Sequence, residues 1–148
     1  VGVDTPLPGF SMTKSVVNAL IGILTQQGLV TPSMPAPIPE WRGADDPRRE
    51  IEVEHLMRMT TGLDLDETNS GFDRSSRMFL QDDTAAYAVN TRMIAPLGTR
   101  WHYSSPTTQI LARIVRDAVG GPEQTLAFAW RELFNPLGMR HVTYGAQP

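Results

Sequence analysis

No cysteine occurs among the 148 residues, and lysine occurs once, at Lys14. The first absence excludes a disulfide framework, a cysteine nucleophile and thiolate metal sites, yet leaves the compartment open, because cysteine-free chains occur in oxidising and reducing spaces alike. Histidine is scarce too. His55, His102 and His141 lie far apart and form no His-Glu-x-x-His array, so they are read as structural, with no metal or other cofactor expected. No stretch approaches the roughly 18 apolar residues of a membrane span. Acidic and basic residues are interspersed and sum to −3, which leaves neither a basic stripe for nucleic acid nor a polybasic segment for an anionic membrane. Gly120-Gly121 lacks the Gly-x-x-x-x-Gly-Lys frame of a phosphate loop. Residues 1–8 carry no initiator methionine and no apolar run of signal-peptide type, and the chain is expected to begin inside a longer protein.

What is present supports one globular domain over residues 1–148, with 41% hydrophobic and 20% charged residues. Between 11 and 28, Val16, Val17, Leu20, Ile21, Ile23 and Leu24 cover most of a helix circumference, as in a helix at the middle of a domain, and Gly28 supplies the stop. Residues 31–39 hold four prolines and are expected to run extended over the surface. A short helix is predicted from about Val53, with Gly62 beyond it, then a polar loop over 64–72. Helices follow over 74–80 and 84–94, the second capped by Asp82 or Asp83. A helix with Ser105 as N-cap and Pro106 as its first residue carries Ile110, Leu111, Ile114, Val115 and Ala118 at helical spacing until Gly120. Pro122 opens another, with Leu126, Trp130 and Leu133 on one face. Residues 100–104 and 141–144 read as short extended pieces. The chain is therefore mainly α, with about six helices.

Lys14 follows Ser11 by three residues, and residues three apart share a helix face. Eight serines stand in the chain, so a lone lysine follows a serine by three about one time in twenty by chance. A serine hydroxyl attacks well only when a neighbouring base takes its proton, and a partly desolvated lysine one turn away is such a base. Ser11 at a helix start also lies near free N–H groups, which favour negative charge on an attacking oxygen. Tyr103, in Tyr103-Ser104-Ser105, offers a phenol able to carry a proton. Plainer readings stand beside these: Ser11 as a helix cap, Lys14 as an exposed first-turn residue, Tyr103 as a packed aromatic. Against the second, a cation at a helix N-terminus opposes the macrodipole. Gly9-Phe10-Ser11-Met12-Thr13 lacks the last glycine of a nucleophile elbow.

Taken together, Ser11-Met12-Thr13-Lys14, Tyr103-Ser104-Ser105, the stretch 53–63, the stretch 97–105 and Leu133-Phe134-Asn135-Pro136-Leu137-Gly138-Met139 resemble the serine β-lactamase and penicillin-binding-protein-like family. The likeness is strongest to its class C-like branch, with its esterases and 6-aminohexanoate-dimer hydrolases. The resemblance implies the helical portion of a β-lactamase-like α/β serine hydrolase whose sheet strands are largely missing from this chain, with the remainder of the parent domain packing on it. It implies an acyl-enzyme formed from a small-molecule ester, amide or β-lactam, with Ser11 as nucleophile, Lys14 as base, Tyr103 as proton shuttle and Ser105 as substrate-binding residue. Ser105 stands where many members carry an asparagine that orients the substrate amide, a departure that does not support amide or β-lactam recognition and leaves ester or linear-amide substrates open. The family's Lys/His-Thr/Ser-Gly strand does not occur before Pro148. Loss of one oxyanion donor costs about 3 to 4 kcal/mol, so little or no activity is expected of these residues alone. The alternative is a non-catalytic helical binding or penicillin-sensor-like module.

Overall fold

The computed structural model describes Gly2 and residues 5–68 and 70–146. Val1, Val3, Asp4, Asn69, Gln147 and Pro148 lie outside the described residues, so the outer ends of the expected 1–148 domain and one position of the polar loop are not among them. Six α-helices are present among the described residues: α1 (Thr13–Gln26), α2 (Val53–Met57), α3 (Arg74–Met78), α4 (Thr84–Val89), α5 (Ser105–Val119) and α6 (Pro122–Ala129). Among the described residues there is no sheet, and extended segments meet only at isolated bridges, Pro35 with Glu52 and Leu63 with Met93. Residues 100–104 and 141–144, read as short extended pieces, are non-helical but take part in no strand pairing. No helix is long and apolar enough to cross a membrane among the described residues.

The helix at the centre is α5 rather than α1. Ile110, Leu111, Ile114 and Val115 are buried on it, and it packs against α1, α2, α3, α4 and α6. Each such aliphatic side chain contributes about 1.5 to 3 kcal/mol on full burial. α1 buries Val17, Leu20, Ile21 and Leu24, but Asn18 and Gly22 are exposed and Val16 and Ile23 only half-buried. Its apolar girdle is therefore covered on one side alone.

The proline-rich connector departs from expectation in a similar way. Ala36 and Ile38 are buried, as is Trp41, whose indole N–H donates to the carbonyl of Val89 at 2.9 Å. Apolar residues alternate with the prolines here, so one edge of the extended segment turns inward while Ala36 N–H bonds the carbonyl of Ile51. Asp73 and Asp83 cap α3 and α4, accepting from the N–H groups of Ser76 and Ala86. α6 runs on into a π-turn over Trp130–Phe134. The wider turn shifts the register, so Phe128, Ala129 and Phe134 are buried, while Leu126, Trp130 and Leu133 are half-buried.

Candidate active site

The chain enters α1 through a 3-10 turn, Phe10–Met12. Phe10 has φ of 42°, in the left-handed region that a side chain with a Cβ occupies at a cost of about 1 to 2 kcal/mol. Ser11 lies inside this turn and makes no side-chain cap; the residue at the N-cap position of α1 is Met12. With its hydroxyl free of the helix end, Ser11 Oγ accepts from Lys14 Nζ at 3.0 Å. Lys14 also donates to Ser105 Oγ at 2.9 Å, and its ammonium stands 4.8 Å from the centre of the Tyr103 ring. A cation in the first turn of a helix is unfavourable unless partnered. Here two hydroxyl oxygens and an aromatic face supply the partners.

Ser105 comes free by a shift of one residue. The cap of α5 is Ser104, whose extended backbone lets its Oγ accept from the N–H of Thr107 at 3.3 Å. Ser105 is consequently the first helical residue, and its side chain turns to the site. Its hydroxyl donates to Glu67 Oε1 at 2.9 Å, and its backbone N–H donates to Glu67 Oε2. Nothing in the sequence singled out Glu67. It is one of several acids in a polar loop, and only the fold separates it from its neighbours: Asp64 pairs with Arg74, and Asp66 accepts from the N–H of Arg74.

Tyr103 is positioned by its backbone neighbours. The N–H of His102 donates to the carbonyl of Met59 and that of Gly98 to Thr60, while Ile94 and Ala95 both donate to Gly62. The stretch after α2 is thus stitched along the stretch that ends at Tyr103. Hydrogen bonding with Ser11 first, and with Lys14 second, holds the Tyr103 phenol below its ordinary value, against a smaller upward push from burial. The structure brings all four candidate residues, Ser11, Lys14, Tyr103 and Ser105, to one place.

Ser11, Lys14, Ser105 and Glu67 line a cleft of about 550 Å³, with Phe10, Phe79, Gln109 and Tyr144 on its walls. Such a space suits a small molecule with an apolar portion. The histidines stand elsewhere. His55 closes a capping box at α2, its Nδ1 accepting from the N–H of Glu52 at 3.1 Å; His102 lines a separate cleft of about 310 Å³; His141 is exposed. A protein-family model described as Beta-lactamase matches residues 1–148. No curated protein gives a significant match.

Proposed function

The chain belongs to the beta-lactamase family, matched over residues 1–148, and from this premise we propose that it carries the nucleophile and proton-handling groups of a serine hydrolase working through an acyl-enzyme. The reading rests on one observation above all: the single lysine sits within hydrogen-bond reach of both Ser11 Oγ and Ser105 Oγ, 91 residues apart from the latter in sequence. Ser11 Oγ bonds to the substrate carbonyl carbon while its proton passes to the Lys14 and Tyr103 pair. The same pair returns that proton to the leaving group as the tetrahedral intermediate collapses to the acyl-enzyme. Water, deprotonated by the pair, then releases the acid and restores Ser11.

Within the family, Tyr103-Ser104-Ser105 and the stretches around it support the class C-like branch. Ser105, in place of asparagine, supports esters or linear amides as substrates, with Ser105 and Phe79 on the wall of the binding cleft. The remainder of the hydrolase domain covers the outward side of α1, where Val16 and Ile23 are half-buried and Phe10 and Met12 exposed. Fluorophosphonate and penicillin probes, followed by intact mass and peptide mapping of the longest form of the protein, test the reading. An adduct on Ser11, absent from Ser11→Ala, is expected. No adduct with either probe sinks it, and an adduct that forms in a burst and persists identifies a penicillin-sensor-like module instead.

A further inference from the structure

Glu67 receives two hydrogen bonds from one residue, the backbone N–H and the hydroxyl of Ser105. A serine hydroxyl has one proton and two lone pairs. With the proton committed to Glu67 Oε1, Ser105 Oγ presents a lone pair to Lys14 Nζ at 2.9 Å. Without that commitment the hydroxyl rotor is free to turn its proton toward the ammonium, where donor faces donor. Lysine is a point charge on a flexible four-carbon stem, so a fixed acceptor at Ser105 decides where Nζ rests, and that place is 3.0 Å from Ser11 Oγ.

The second bond to Glu67 reinforces the first. The N–H of Ser105 is among the unpaired donors at the start of α5, and a carboxylate there also meets the positive end of the helix dipole. Ser104 serves the N–H of Thr107, Glu67 that of Ser105. Meanwhile the loop that carries Glu67 is anchored by other groups: Asp64 to Arg74, the carbonyl of Asp66 to Ser75 Oγ, and Asp73 to Ser70 and Ser76. The loop's shape does not depend on Glu67 alone.

We propose that Glu67 is a positioning residue for acyl transfer, acting through Ser105 to hold Lys14 at the nucleophile. The proposal deepens the serine-hydrolase reading and rests on it. A double-mutant cycle tests it on the longest form of the protein. Glutamine has the shape of Glu67 but puts an amide NH2 where one of the two carboxylate oxygens stands, so one of the two Ser105 donors is left facing a donor. The expected outcome is that Glu67→Gln slows fluorophosphonate acylation of Ser11 by roughly ten- to a hundredfold, whereas the same change made on Ser105→Ala slows it no further. Independent, multiplicative losses overturn the proposal, as does an unchanged rate in Glu67→Gln. Should Glu67→Gln fail to fold, Glu67→Asp, one methylene shorter with both acceptors kept, takes its place in the cycle under the same criteria.

A second readout separates this proposal from the function it rests on. With lysine labelled in its side chain, the NMR signal of Lys14 is identified by its loss in Lys14→Arg. Its shift is expected to move in Glu67→Gln toward the value in Ser105→Ala, at unchanged thermal midpoint. A Lys14 signal indifferent to Glu67 overturns the positioning role. If wild-type Ser11 takes no probe while the Lys14 signal still follows Glu67, the hydrolase reading fails and the positioning of Lys14 by Glu67 stands.

Discussion

The ammonium of Lys14 stands over the ring of Tyr103, 4.8 Å from its centre, and the phenol of Tyr103 is stabilised in its ionised form by Ser11 and then by Lys14. A lowered phenol value means that, between that value and the ordinary one, the folded chain binds fewer protons than the unfolded chain. The contribution to stability is therefore full above the ordinary value and lost as pH falls through the lowered one. Burial has the opposite effect on Tyr144, pushing its phenol up. An ultraviolet titration should show Tyr103 ionising before Tyr144, with the early step missing in Tyr103→Phe. An early step that survives in Tyr103→Phe contradicts the assignment.

Lys14 admits a sharper substitution than alanine. Arginine keeps the charge and the donors but is not deprotonated in proteins, so it cannot take a proton from Ser11. Both Lys14→Ala and Lys14→Arg are expected to lower the acylation rate of Ser11 by about a hundredfold to ten-thousandfold, the usual contribution of a general base. Recovery of most of the rate in Lys14→Arg would show that the lysine contributes charge alone.

Asp73 accepts from the N–H and hydroxyl groups of both Ser70 and Ser76. The backbone N–H of Ser76 leads these causes, and its carboxyl is held down from 3.8 to about 2. A depressed carboxylate stabilises the fold above its unfolded value and stops doing so as pH falls through the folded one. The thermal midpoint of Asp73→Asn should lie below that of the parent near neutrality, and the gap should narrow between pH 3.8 and about 2. A gap that stays constant across this window removes Asp73 from the acid response.

Gly62 and Gly28 share the left-handed backbone, with φ of 71° and 73°, but differ in their surroundings. A methyl built on Gly62 collides with the carbonyl oxygen of Ala95, while one on Gly28 meets nothing within 4 Å. Gly28→Ala should lose only the backbone cost, about 1 kcal/mol. Gly62→Ala should lose more than about 3 kcal/mol, because the displaced segment also holds Ile94 and Ala95 through the Gly62 carbonyl. Denaturant melts of the two variants give the comparison directly, and equal losses would refute the collision.

The helices were legible because their signals are local: α1 from its apolar spacing and Gly28, α4 from Asp83, α6 from Pro122. Ser11 and Lys14 were legible for the same reason, lying three residues apart. The cap of α5 was not. Ser104 and Ser105 are both good caps, and what sets them apart in the fold is Glu67, which takes both donors of Ser105 from 38 residues away and which no local pattern registers. Tyr103 falls between these cases. The motif marks it, but what positions it is a set of main-chain bonds from residues 59–62 to residues 94–102, which carry no side-chain signature. The buried connector and the π-turn after α6 escaped for a related reason, since each depends on what the rest of the chain leaves to be filled.

The hydrogen bond from Lys14 to Ser105 joins residues 91 positions apart. Bringing such distant ends together costs about 4 kcal/mol of chain entropy, which the docking of α1 against α5 helps to offset. Ser11 and Lys14 are neighbours in sequence, whereas the hydroxyl of Ser105 is a distant partner of the amine, within reach only when α1 and α5 are docked. A chain that has opened between α1 and α5 lacks the bond from Lys14 to Ser105. On the serine-hydrolase reading proposed above, a probe that reacts at Ser11 would report chains in which α1 and α5 have docked, since only those hold Lys14 between Ser11 and Ser105.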